Sequence, residues 1–284
     1  MYYWQIGETM SFPTILFIIV SISLCTGCLS NSSDNDKENT KKTQLLEDAF
    51  LKAVLENDLK ATEKYLKNGI NPNKTYDKNG WLALSLASLP NIYLLPNGAL
   101  GSPEMVKLLL DYGADPNAIS KGVLPLACAA GCNSMDIVQM LIDKGADVNG
   151  AYENKSTALM SAVRHIDMVK FLVKSGADLN KQDINGNSAL IIAVLTPLSY
   201  DTVKFLLEQG ASTNLLNKKG VTALDCVLKS MEKDYGHSEE NKQRLIGVIN
   251  LLKKYGAKTS SEMGVGVGVQ REDKNGGLKK DDGK

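Results

Sequence analysis

LLLDYGADPN (108–117), MLIDKGADVN (140–149), FLVKSGADLN (171–180) and FLLEQGASTN (205–214) are four versions of one phrase. Degenerate copies, YLKNGINPN (65–73) and LLKKYGAKT (251–259), bracket them. The shared glycines stand at 69, 113, 145, 176, 210 and 256, with successive spacings of 44, 32, 31, 34 and 46. Three of the spacings define a period of about 33 residues, and the two long ones equal one period plus an insertion. A chain with such a period is built from one supersecondary unit used repeatedly.

The phrase has a physical reading. Ahead of each glycine run apolar residues at helical spacing, such as Met105, Val106, Leu108 and Leu109, or Met168, Val169 and Leu172. Gly113, Gly145, Gly176 and Gly210 fall where a helix has to end in a left-handed residue, a conformation that costs glycine nothing. The Asp and Asn residues that follow suit tight turns, because their side chains bond nearby backbone. A second short helix is expected before each phrase, at LPLACAA (124–130), TALMSAV (157–163), SALIIAV (188–194) and TALDCVL (222–228), with WLALSLA (81–87) a looser version. Thr157, Ser188 and Thr222 are placed as N-caps of these helices, and Pro125 suits a first turn. Ser102-Pro103-Glu104 supplies a cap, a first-turn proline and an early acid to one of the longer helices.

Gly-Ala-Asp-x-Asn after one helix, with [Thr/Ser]-[Ala/Pro]-Leu opening the next, resembles the ankyrin repeat. The resemblance covers residues 44–259 and implies an all-α solenoid of about six helix–turn–helix units joined by short hairpin loops. Its histidine after the leucine is replaced by Ala127, Met160, Ile191 and Asp225. The hydrogen bonds that this histidine makes between neighbouring hairpins are therefore expected to be missing, and the array to be less stable. Residues 260–284, rich in glycine and charge, read as a disordered tail.

The N-terminus carries different information. FPTILFIIVSISLC (12–25) is apolar without a charge, short for a membrane span of ~20 residues but suited to the apolar core of a signal peptide. It ends in Cys25-Thr26-Gly27-Cys28 and turns abruptly polar. That transition resembles the lipidation site of bacterial lipoproteins, and implies a signal peptide over 1–27 with lipid on Cys28. Cys25 stands where that family usually has leucine, and no Lys or Arg precedes the apolar run. Residues 28–43 read as a flexible tether. The expected location is outside the cytoplasm, membrane-anchored and facing the periplasm or cell exterior; a soluble secreted form and a single N-terminal anchor are the alternatives.

Composition narrows the function. Thirty-two basic residues balance 32 acidic ones, so no basic stripe marks a nucleic-acid partner. The cysteines at 25, 28, 128, 132 and 226 and the two histidines, His165 and His237, form no zinc pattern. Cys128 and Cys132 are four apart, a spacing that presents a disulfide poorly. No phosphate loop, dinucleotide motif or His-Glu-x-x-His is present, and GVGVGV (264–269) is followed by no helix. Catalysis, cofactors and metals are not expected. The expected activity is binding of a protein partner through hairpin tips and a concave face, with a scaffold for another envelope protein and an enzyme with an unrecognised site as alternatives. The candidate contact residues are Tyr76, Lys78, Ile119, Tyr152, Glu153, Gln182, Ile184, Leu216 and Lys218, with Arg164 and Thr196 at the ends of first helices. The insertion 89–103 is read as folding back over the array, and 232–244 as a solvated extension.

Overall fold

The computed structural model describes residues 34–74, 82–89, 102–120, 123–197, 199–232 and 238–265. These residues form twelve helices and no strand. They pair in chain order into six helix–turn–helix units: α1 (Asp34–Leu55) with α2 (Leu59–Lys67), α3 (Ala83–Ala87) with α4 (Pro103–Asp111), and α5 (Pro125–Gly131) with α6 (Met135–Asp143). Then come α7 (Ala158–Ser161) with α8 (Ile166–Lys174), α9 (Ala189–Leu195) with α10 (Tyr200–Glu208), and α11 (Ala223–Glu232) with α12 (Glu239–Lys254). The chain divides into two compact units, residues 1–146 and 147–284, each holding three of these pairs.

Within each unit the helices make two layers. In the first unit α1, α3 and α5 pack in one row and α2, α4 and α6 in the other; in the second, α7, α9 and α11 face α8, α10 and α12. The second helices bury the same face each time: Val106 and Leu109 in α4, Val138 and Leu141 in α6, Val169 and Leu172 in α8, Val203 and Leu206 in α10, all fully buried. A nine-residue helix is marginal alone in water, so these segments are helical because each hides its apolar stripe against its neighbours. A fully buried aliphatic side chain contributes about 1.5–3 kcal/mol.

The caps follow the sequence signals. Thr157, Ser188 and Ser102 accept the amides of Met160, Ile191 and Met105 at 3.4, 3.4 and 3.2 Å. Gly113, Gly145, Gly176 and Gly210 all end their helices with φ between +83° and +93°. What holds one repeat to the next is the asparagine that closes each phrase. Asn149 donates from Nδ2 to the Gly176 carbonyl at 3.0 Å and accepts the Asp178 amide on Oδ1 at 2.8 Å. Asn73 does the same to Gly113 and Asp115 at 2.8 and 2.7 Å, and Asn214 to Gly256 and Lys258 at 3.2 and 2.8 Å. Asn117 reaches Gly145, and Asn180 accepts from Ser212. The aspartate two residues earlier does the local work instead: Asp115, Asp147 and Asp178 accept the amides of Asn117, Asn149 and Asn180 at 2.8 Å.

The ends of the array depart from expectation in their local structure. The stretch 28–43, read as a tether, is helical from Asp34 onward, because polar residues such as its lysines and glutamate extend a helix as readily as they solvate a coil. Residues 238–243 are exposed, as a solvated extension should be, but they are helical: Ser238 caps α12 by accepting the Asn241 amide, with Glu239 and Glu240 in the first turn. The array also runs beyond residue 259, since Ser260 is buried and the amides of Met263, Gly264 and Val265 bond back to Thr259, Ser261 and Ser260. The signal segment with Cys28, most of the insertion 89–103, and residues 266–284 lie outside the described residues.

That C-terminal turn is fastened by Asp225, which stands where the repeat usually has histidine. Its Oδ2 accepts the Thr222 and Ser260 amides, each at 2.9 Å, while the Thr222 hydroxyl donates to the Lys258 carbonyl at 3.0 Å. Burial on its own raises the Asp225 carboxyl, but the hydrogen bonds from Thr222 and Ser260 outweigh it and hold the group below its ordinary 3.8. A carboxyl depressed in the folded state stabilises fully above pH 3.8 and loses that contribution as pH falls through its lower folded value. In an NMR titration the Ser260 amide is expected to shift with a midpoint below 3.8, and Asp225→Asn to abolish the step; a midpoint at or above 3.8 contradicts the assignment.

Replacing Asn149 by alanine removes both bonds to the following repeat, and is expected to cost about 1–2 kcal/mol in urea unfolding. Asn241→Ala on α12, which breaks no bond between repeats, is expected to stay within about 0.5 kcal/mol.

Candidate protein-binding surface

Three hairpins of the second unit run in one register. From the bridging asparagine to the helix cap the chain counts eight residues in each: Asn149 to Thr157, Asn180 to Ser188, and Asn214 to Thr222. Aligned this way, Glu153, Ile184 and Lys218 occupy the same tip position, and all three are exposed.

The turns that present them are built alike. Asp183 accepts the amides of Asn185 and Asn187 at 2.8 Å, and Asn217 accepts those of Lys219 and Val221 at 2.9 and 3.2 Å. Gly186 and Gly220 carry the left-handed residue of their turns, with φ of +77° and +68°. In the first of the three hairpins that place is taken by Lys155 at φ +61°, a conformation costing a residue with a side chain roughly 1–2 kcal/mol.

Successive hairpins are tied by backbone. The Ile184 amide donates to the Asn154 carbonyl at 2.7 Å, and the Lys218 amide to the Asn185 carbonyl at 2.8 Å. Gln182 Nε2 donates to the carbonyls of Gly186 and Leu216, and Asn217 Nδ2 to Asn187 Oδ1 at 3.1 Å. In a chain with Ala127, Met160, Ile191 and Asp225 in place of the histidine, backbone and amide side chains join the hairpins. In the first unit the Leu82 amide reaches the buried Ser120 hydroxyl at 2.8 Å and links two repeats in a similar way.

The candidate contact residues separate on this geometry. Ile119, 54% exposed, and Ile184, 47% exposed, hold no structural bond through their side chains, and Glu153 and Lys218 are exposed with them. Tyr152 and Leu216 are half-buried. Gln182 is half-buried and spent on stitching hairpins together. Tyr76 and Lys78 lie outside the described residues. Of the two helix-end residues, Arg164 is exposed, whereas Thr196 is buried with its hydroxyl donating to the Ile192 carbonyl, which removes it from any contact surface. Leu195 at the end of α9 is 52% exposed, although an apolar residue at helical spacing reads as core.

The groups with chemical potential are dispersed. Cys128 is buried, and burial pushes the thiols of Cys132 and Cys226 up to about 11, far from the reactive thiolate range. His165 is the cap residue of α8 and makes no side-chain cap bond; His237 lies outside the described residues. Among the described residues no three His, Cys, Asp or Glu side chains gather to hold a metal ion, and no helix is long and apolar enough to cross a membrane.

Comparison with known proteins agrees with the geometry. A family model described as ankyrin repeats, in three copies, matches residues 50–152 and 97–183, and the single ankyrin repeat matches 185–218. No curated protein matches the chain. Ankyrin repeats are in general protein–protein interaction modules.

The tip row is sensitive to a single methyl group. A Cβ on Gly186 would stand 2.8 Å from the Lys218 amide nitrogen and 2.9 Å from the Asn217 Cα, both backbone of the next hairpin. Gly186→Ala is expected to lower stability by about 2 kcal/mol or more, combining left-handed strain with that clash. Lys155→Gly is expected to raise it by up to about 1 kcal/mol, a shift of ~2–4 °C in Tm. Thermal melts that rank the two variants in the opposite order contradict this description of the turns.

Proposed function

The chain belongs to the ankyrin-repeat family, and we propose that it is a non-catalytic, exported module that holds a partner protein by its hairpin tips and first helices. The observation that supports this reading most is a division of labour at the tips. Asp183, Asn217, Gly186 and Gln182 build the turns and join them, which leaves Ile184 and Lys218 exposed with no structural task for their side chains. Exposed aliphatic and long polar side chains on a rigid backbone suit interface anchors, since little order has to be gained on binding.

Export and tethering form the second part of the proposal, and rest on sequence. The apolar stretch 12–25 ending in Thr26-Gly27-Cys28 acts as the exported chain's address, with lipid on Cys28 holding it at a membrane. A single acyl chain binds only marginally, so stable anchoring takes a second acyl chain or another membrane signal.

A photo-reactive amino acid placed at Ile119 or at Ile184 in the producing cell, followed by mass spectrometry, tests the first part. The same protein is expected at both tip positions and not at Lys170 on α8; no reproducible adduct, or equal labelling from α8, contradicts the reading. For the second part, the mature chain is expected to begin at a lipidated Cys28, and Cys28→Ser to move the protein out of the membrane fraction. An unmodified N-terminus on membrane-bound protein overturns it.

A further inference from the structure

The second unit reads column by column, because its three hairpins and the first helices they lead into share one register from the caps Thr157, Ser188 and Thr222. Four residues before the cap stand Glu153, Ile184 and Lys218, and four after it Ser161, Ile192 and Cys226. Seven after it stand Arg164, Leu195 and Lys229. In the first and third repeats every one of these that is not buried is polar or charged. The middle repeat has an aliphatic residue at all three positions: Ile184 and Leu195 are exposed and Ile192 is half-buried.

α9 has no polar side chain, and its other five residues are buried. The polar groups that follow it turn inward: the Thr196 hydroxyl donates to the Ile192 carbonyl at 2.8 Å and the Ser199 hydroxyl to the Thr196 carbonyl at 2.7 Å. What α9 leaves open is therefore an aliphatic stripe, Ile192 and Leu195 one turn apart. A helix that is apolar all round is normally covered on every side. Solitary exposed leucines are ordinary on protein surfaces, but three aliphatic residues of one repeat, at positions that are polar in its neighbours, form a patch.

We propose that this middle repeat anchors the partner protein by taking one of its amphipathic helices, with large apolar side chains three or four apart against Ile192 and Leu195 and one end of the helix against Ile184. The inference rests on the protein-binding reading of the tips and first helices, and the stripe continues that surface, since Ile184 belongs to both. The shape of the stripe selects the occupant. α9 is roughly 10 Å long, and the first helices on either side lie ~8–10 Å away and present Ser161, Arg164 and Lys229. A single helix, ~10 Å across, fills a stripe of that width and turns its own polar flanks towards those residues. A second copy of the chain would need about 800 Å² from each partner, which three aliphatic side chains do not supply. A bilayer surface would have to press on Glu153 and Arg164 as well, and a nucleic-acid strand offers nothing to an aliphatic stripe.

The test uses the full chain and a fluorescein-labelled peptide of about 18 residues and no net charge, with leucines at helical spacing among lysines and glutamates, read by fluorescence anisotropy. A peptide of identical composition, its leucines placed so that no stripe forms, is the comparison. The striped peptide is expected to bind at least about tenfold more tightly, with an affinity that holds between low and high salt. Leu195→Gln with Ile184→Gln is expected to weaken it at least about tenfold, and Leu45→Gln, at another exposed leucine on α1, less than about twofold. The circular dichroism of all variants should match the parent. Equal losses from the α1 variant, equal binding of the two peptides, no binding at about 1 mM, or self-association of the chain that Leu195→Gln abolishes, overturns the inference. A photo-reactive amino acid at Leu195 in the producing cell separates the two readings. Adducts from Ile184 but none from Leu195 leave protein binding standing and remove the helix-binding stripe; silence at Leu195, Ile184 and Ile119 removes both.

Discussion

One side chain per repeat carries the architecture. An asparagine amide offers a donor and an acceptor a short distance apart, and here both are used across a repeat boundary, on a glycine carbonyl and the amide two residues further on. The glycine carbonyl belongs to the end of a helix, where it has no intrahelical donor. The same bond therefore satisfies a helix terminus and fixes the distance to the next helix pair. The apolar stripes can then meet in register, which is why Val106, Val138, Val169 and Val203 are all buried completely although the helices that carry them are short.

With the loops fixed in this way, the hairpins repeat within a unit and their tips become a row. Polar residues inside that row are structural: Asp183 and Asn217 shape the turns, and Gln182 joins them. Lys155 departs from the pattern by holding a left-handed residue where its two successors have glycine. Strain of that kind persists where the surroundings over-determine the backbone, and here the Tyr152–Ser156 and Lys155–Tyr152 backbone bonds do so. The tip row thus separates into residues that make the surface and residues free to use it.

Much of this was legible in the sequence, because the signals are local. A helix that must stop at a left-handed residue writes glycine, and a first turn that needs a cap writes Thr157, Ser188 or Ser102. The functions of Asn149 and its counterparts were less legible. Their partners lie 27 to 44 residues away, and a turn-forming asparagine looks identical whether it bonds its own loop or the next one. The missing histidine is silent for a related reason: its absence says nothing of Gln182, Asn217 and the backbone amides that join the hairpins. Thr196 looked available and is buried, while its neighbour Leu195 is exposed, since one residue of rotation at a helix end decides between them. Among the candidate contacts, register alone located Glu153, Ile184 and Lys218; the spending of Gln182 on its neighbours needed coordinates.

Native-state hydrogen exchange addresses the central claim most directly. The amides of Asp115, Asp178, Ser212 and Lys258 sit in surface loops, yet each donates to the asparagine of the preceding repeat. If those bonds join the repeats, these four amides exchange only when the unit around them opens, with protection comparable to that of Val169 in the core of α8. Exchange at the rate of an unstructured loop, alongside a protected Val169, would mean that the helices stack without them.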